Sequence, residues 1–214
     1  PEPFCASHRQ RSAAFDDNCQ GSLRTVDLDG FLEYLFKTQT VLAIAVDGAN
    51  RKWVGTSNGV YLLSPDGKEE LIHFTQDDSP LLDNTIRTIA VNDRTGEVFF
   101  GTDRGIISYQ GDAIVGTRLN NAEPTVFPNP VRPEYDGPIT VRGLAVNANV
   151  KITDVNGKLV YETEALGGQA IWDGRDYNGR RVQTGVYLVF STTNPREAGL
   201  AQPDAVVTKI LFVN

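Results

Sequence analysis

The chain has 214 residues and a formal net charge of −7, which leaves room for two domains of roughly 100 residues each. Residues 1–120 hold 11 Lys/Arg against 17 Asp/Glu, and residues 121–214 hold 9 against 10. No basic face is available to suit a nucleic-acid partner, and no stretch reads as a signal peptide, a transmembrane span or a lipidation motif.

The chain begins at Pro1 and contains no methionine, which predicts the C-terminal piece of a longer protein. Cys5 and Cys19 sit in a polar stretch rich in Arg, Ser and Asp. They lack CxxC spacing and a neighbouring His cluster, which argues against zinc. Two free thiols or a disulfide remain, and an oxidising compartment selects the disulfide. Residues 30–36, GFLEYLF, suit a strand or a short helix; a strand that completes a preceding repeat is preferred.

A near-repeat follows. VLAIAVDGANRKWVGTSNGVYLL (41–63) returns as IRTIAVNDRTGEVFFGTDRGIISY (86–109), with Asp47 becoming Asn92, Gly55-Thr56 becoming Gly101-Thr102, and Gly59 becoming Gly105. The offset is 45 residues at the front and 46 at the back. That period, with several short apolar runs per unit, marks a β-propeller blade. The first blade is expected over 41–74, with strands at 41–46, 52–55, 59–63 and 69–74. The run 41–46 should be covered on both sides by neighbouring blades. The second is expected over 86–116, with strands at 86–91, 97–100 and 105–109 and a last one starting at Ile114 and Val115. Two blades cannot close a propeller, which needs at least about four, so residues 1–120 read as the end of an incomplete one.

Five prolines between Pro124 and Pro138 mark a boundary, because proline cannot donate to an interior ladder. Beyond it the pattern becomes alternation. Ile139 and Val141 oppose Thr140 and Arg142, and Val150 and Ile152 oppose Lys151 and Thr153. Asp154-Val155-Asn156-Gly157 reads as a hairpin turn. With further strands at 158–163, 168–172, 185–192 and 206–213 and an edge strand near 125–127, residues 121–214 predict an immunoglobulin-like antiparallel β-sandwich. Trp172, Tyr187, Leu188, Phe190, Ile210 and Phe212 supply bulk for its core. The fold class is therefore all-β: propeller blades followed by a sandwich.

Chemistry is sparse. His8 and His73 are the only histidines, and His73 falls in an outer strand where a local hydrogen bond accounts for it. Ser57 lies in a turn, not on a nucleophile elbow. Asp173–Gly179 resembles a calcium loop, but an EF-hand register places Gly174 and Gly185 at ligand positions; turn chemistry explains the Asp, Asn and Gly content. Arg175, Arg180 and Arg181 form the one dense basic cluster, able to meet an anion by bidentate hydrogen bonds or simply to face solvent. No cofactor, metal or catalytic set is predicted.

The core RKWVGTSNGVYLLSPDG, echoed as GEVFFGTDRGIISY, resembles the two-component-regulator type of propeller repeat. FPNPVRPEYDGPITV, VKITDVNGKLVYET, WDGRDYNGRRVQTGVYLVF and TKILFVN together are similar to the C-terminal sorting domain of type IX secretion in Gram-negative bacteria. The matching positions are Phe127–Pro130, Asp154–Lys158, Trp172–Gly174, Gly185–Tyr187 and Lys209. The resemblance implies a non-catalytic component of that secretion system, exported through the periplasm and held at the outer-membrane surface. It implies docking in the attachment complex with PorU, PorV and PorQ, and help in presenting anionic lipopolysaccharide to the sortase PorU. The acidic blade end makes a poor surface for an anionic glycan, so that contact is expected in missing upstream regions. Export would also bridge Cys5 to Cys19.

Three other readings compete. The chain is surface cargo of the same route, the tail of a polysaccharide-processing enzyme, or a carrier of a flagellar hook-cap-like domain, against which the blades argue. Finally, alternation over 206–213 puts Thr208, Ile210 and Phe212 on one face and Val207, Lys209, Leu211 and Val213 on the other. Lys209, Leu211 and Val213 are the expected partner-binding residues, since an exposed apolar strand otherwise invites aggregation.

Overall fold

The computed structural model describes residues 25–28, 31–34, 36 and 38–213; Cys5 and Cys19 lie outside the described residues. Strands β1 (Thr25–Leu28) and β2 (Phe31–Tyr34) form an antiparallel pair, so the stretch expected as a strand within 30–36 is one.

The first repeat unit is an antiparallel sheet of β3 (Val41–Val46), β4 (Lys52–Thr56), β5 (Gly59–Leu63) and β6 (Glu70–Phe74), paired in that order. The second contains β7 (Ile86–Asn92), β8 (Glu97–Thr102) and β9 (Gly105–Gln110). The repeated residues are those that make the turns. Asp47 Oδ1 accepts from the backbone N–H of Ala49 and Arg51, both at 3.0 Å, and its counterpart Asn92 Oδ1 accepts from Arg94 N at 3.1 Å. The Thr56 hydroxyl donates to Gly59 O at 3.1 Å and accepts from Asn58 N; the Thr102 hydroxyl does the same with Gly105 O and Arg104 N. Gly59 (φ 105°) and Gly105 (φ 135°) occupy backbone that other residues rarely adopt. Gly55 serves packing instead, because a Cβ there would lie 2.6 Å from Ile86 Cγ2 of the next blade.

The two sheets stack through Trp53, Val60 and Leu62 on one side and Ile86, Val98 and Phe100 on the other. The Trp53 ring lies 5.5 Å from Phe100 and 5.8 Å from Tyr109. The run 41–46 is less covered than expected, although β4 and β5 are buried on both faces. Val41, Ile44 and Val46 are 38–48% exposed. A second expectation is corrected at Ile114 and Val115. They do not begin a fourth strand of the second blade. Ile114 instead makes a parallel bridge to Gly167, and Gly168 N donates to Ile114 O at 2.9 Å. Ile106 on β9 is 74% exposed, whereas its repeat counterpart Val60 is fully buried against the second sheet; among the described residues no further sheet stacks on Ile106 in the same way.

The C-terminal sheets contain β10 (Thr125–Phe127), β11 (Ile139–Arg142), β12 (Asn149–Asp154), β13 (Leu159–Glu164), β14 (Gln169–Trp172), β15 (Gly185–Thr192), a single helical turn α1 (Pro195–Ala198) and β16 (Ala205–Phe212). One sheet runs β10-β11-β14 and the other β13-β12-β15-β16. Their facing side chains, including Val141, Val150, Ile152, Trp172, Val189, Ile210 and Phe212, form one core. Leu188 and Phe190 are not in it. Both are half-buried on the outer face of β15, since Tyr187, Val189 and Ser191 take the inward positions.

A polar chain, buried at Asp47, Arg51 and Gln169 and open at its Arg142 end, ties the blades to the sandwich. Arg51 Nε contacts Asp47 Oδ2 at 2.8 Å, its Nη2 contacts Asp112 Oδ1, Asp112 O accepts from Gln169 Nε2 at 2.7 Å, and Gln169 Oε1 accepts from Arg142 Nε at 3.1 Å. Burial opposes the charge on Arg51, but hydrogen bonding and attraction to Asp112 and Asp47 outweigh it and hold its pKa above the ordinary value. Glycines at the same junction allow backbone to touch backbone. A Cβ on Gly48 or Gly167 would run into Ile114.

Candidate functional site

The sorting-type motifs converge on the last strand. Phe212 is fully buried. Its ring lies 5.3 Å from Trp172 and 5.4 Å from Tyr187, each at a steep interplanar angle, an edge-to-face arrangement favoured by ring quadrupoles. Trp172 begins the WDG loop and Tyr187 lies in the GVY strand. Gly174 has φ 75°, and a Cβ on it would meet the Phe212 ring at 3.1 Å. Gly185 pairs directly opposite Phe212 across the β15–β16 ladder. The WDG loop holds its own shape: Trp172 Nε1 donates to Arg175 O at 2.8 Å, and Asp176 Oδ1 accepts from Asn178 N and Arg180 N. The bond from Arg180 N is the main reason the Asp176 carboxyl titrates below its ordinary value.

The FPNP segment closes the edge of the same strand. Asn129 Nδ2 donates to Lys209 O at 3.0 Å and Asn129 Oδ1 accepts from Leu211 N at 3.0 Å. Val131 then continues as strand-like backbone, donating to Leu211 O at 2.7 Å and accepting from Val213 N at 2.9 Å. Sequence reasoning missed this role for Asn129; the FPNP string is visible in the sequence, but its target lies 80 residues away.

The expected partner residues share one outward face. Ile210 and Phe212 are fully buried, while Val207 is 53%, Leu211 41% and Val213 40% exposed. Lys209 lies between them, opposite Leu188 across the ladder, and Leu211 lies opposite Val186. The surface is an apolar stripe carrying one exposed ammonium.

The arginines of the basic cluster lie together, Arg175 and Arg181 bridging through their backbones, but their side chains take different partners. Arg175 Nη1 donates to Gly179 O at 2.9 Å, whereas Arg181 reaches the other way, to Asp136 at 3.2 Å and Arg132 O at 3.0 Å. These two guanidinium groups brace loops, and Arg180 is exposed beside them. His73 stacks on Tyr61 with centroids 3.9 Å apart and shares a 3.0 Å hydrogen bond with Asn58 O. Between the blade loop and the sandwich lies an open groove of about 610 Å³ lined by Pro65, Asn147, Lys151, Glu164 and Thr192 among others. It offers no aromatic platform and no nucleophile paired with a base. Among the described residues no group of three or more His, Cys, Asp or Glu side chains gathers to hold a metal.

Residues 125–198 match the family of secretion system C-terminal sorting domains. The matched stretch runs from β10 to the end of α1 and leaves out β16. Across blades and sandwich together, the chain is similar to PorZ, an essential bacterial surface component of the type IX secretion system of Porphyromonas gingivalis. The identity is 35%, the TM-score 0.56, and the likeness covers 89% of this chain and 25% of that one. The chain thus spans about a quarter of that protein's length. Latent PorU of the same organism aligns over 90% of this chain and 20% of its own, at 16% identity and a TM-score of 0.34, too distant to carry an argument. No curated protein matches the chain.

Proposed function

We propose that this chain is part of a non-catalytic cell-surface component of the type IX secretion system, held in the attachment complex with PorU, PorV and PorQ. The observation that carries this reading is the extent of the likeness to PorZ. It covers 89% of the chain, blade sheets as well as sandwich. A cargo protein needs to share only the sorting domain. The sandwich presents Lys209, Leu211 and Val213 to a partner, and the motifs gathered around Phe212 serve to hold that strand in place. Help in presenting anionic lipopolysaccharide to the sortase is part of the same proposal, with the glycan bound outside this acidic chain.

The test is Leu211→Asp combined with Val213→Asp in the whole protein. Both side chains point outward, so the domain stays folded, and the protein is expected to stay in the periplasm. Normal surface display of that folded variant would refute the recognition role of this face. The cargo reading draws on the sorting-domain match alone. It predicts a surface form lacking residues 121–214, whereas a resident component keeps them, and the mass of the mature protein on cells separates the two.

A further inference from the structure

We propose that Asn129 guards the terminal strand, occupying the hydrogen-bonding edge of β16 so that the strand is read through its side chains and cannot take up another strand. An edge strand exposes a row of unpaired N–H and C=O groups and templates association with other chains. β16 is such a strand, since it ends its sheet beyond β15. Along the last part of β16 that row is filled. The Asn129 carboxamide supplies one donor and one acceptor, as a peptide unit would, and takes Lys209 O and Leu211 N. Val131 takes Leu211 O and Val213 N. In an antiparallel strand alternate residues turn their backbone groups to the same side, so Val207, Lys209, Leu211 and Val213 are edge-facing positions, and the row is engaged from Lys209 O to Val213 N.

The guard cannot itself be extended. Pro128 and Pro130 flank Asn129 and have no N–H to offer a further strand. It is also anchored, because Val131 is 1% exposed and packs in the sandwich core. The segment achieves this by changing sheets. β10 pairs with β11 in one sheet, and four residues later Val131 bridges to Phe212 in the other. What remains open to a partner is the side-chain stripe of Val207, Lys209, Leu211 and Val213. That this stripe is the recognised feature rests on the proposed function; the guard does not.

The test compares the wild-type chain with Asn129→Ala and Asn129→Leu. The leucine keeps the bulk and removes both hydrogen bonds. Two readouts are taken on purified full-length chain: amide exchange over 206–213, and solution mass by light scattering across a concentration series. Both variants are expected to keep the wild-type circular dichroism, to exchange the Leu211 amide about tenfold faster, and to form a heavier, concentration-dependent species by edge-to-edge pairing with a second copy. Wild-type exchange at Leu211, or wild-type mass at every concentration, would overturn the guard. The outcome is separable from the export test: Leu211→Asp with Val213→Asp leaves Asn129 intact, so its export reports on recognition and its mass stays that of the wild type.

Discussion

Phe212→Ala removes the side chain on which the sorting-type motifs converge. The residue is 0% exposed and is enclosed by Trp172, Tyr187, Gly174 and Val131. Three of its neighbours are fixed by other constraints. Trp172 Nε1 is bonded to Arg175 O, Gly174 has positive φ, and Val131 is held to the β16 backbone through both its N–H and its C=O. The cavity therefore collapses poorly, and the cost falls in the range for buried Phe truncation, about 3–5 kcal/mol. For a chain of this size each kcal/mol moves the midpoint by roughly 2–4 °C, giving a fall of roughly 6–20 °C. Thermal unfolding followed by near-ultraviolet circular dichroism reads it, with Leu211→Asp as the control. That neighbour is 41% exposed on the opposite face, and its replacement should stay within about 0.5 kcal/mol of wild type. If Phe212→Ala unfolded within a degree or so of the wild type, or if Leu211→Asp fell as far, the assignment of the two faces of β16 would be wrong.

Gly167→Ala should loosen the link between blades and sandwich, because φ is +64° and the added methyl would run into the Ile114 carbonyl. Limited proteolysis over 111–117 should speed up by roughly an order of magnitude, on the scale of a 1–3 kcal/mol clash (about 5–150-fold); unchanged cleavage would contradict the close approach. Asp66 accepts from the Ser64 hydroxyl at 2.7 Å and pairs with Lys68 at 3.1 Å, and those bonds, Ser64's first, lower its pKa from 3.8 to about 2. A carboxyl whose folded value lies below its unfolded value lends stability above the unfolded value and loses it as pH falls through the folded one. The turn at 64–69 should thus hold at pH 5 and weaken between 3.8 and about 2. A carboxyl titration by NMR should show the low midpoint, and a midpoint at 3.8 would mean that the Ser64–Asp66–Lys68 arrangement does not persist in solution.

Local chemistry decided much of this molecule. The blade turns depend on residues within five positions of one another, as in Asp47 with Ala49 and Arg51 or Thr56 with Asn58 and Gly59, so a repeat in the sequence is directly a repeat in the backbone. Period-two alternation likewise assigned Ile210 and Phe212 to one side of β16 and Lys209, Leu211 and Val213 to the other. Alternation cannot say which side a second sheet will cover, however. Leu188 and Phe190 look like core residues and face outward, because the opposing sheet packs against Tyr187 and Val189. Nor can a local pattern show where a chain goes after its last clear strand. Ile114 reads as the start of another blade strand, yet Gly167 and Gly168, more than 50 residues later, have no side chains to bar its approach and capture its backbone. The same limit hid Asn129 and divided the arginines, Arg175 and Arg181 turning apart to brace different loops. Hydrogen bonds to a distant strand are fixed by how the sheets pack, and that packing exists only once the chain is folded.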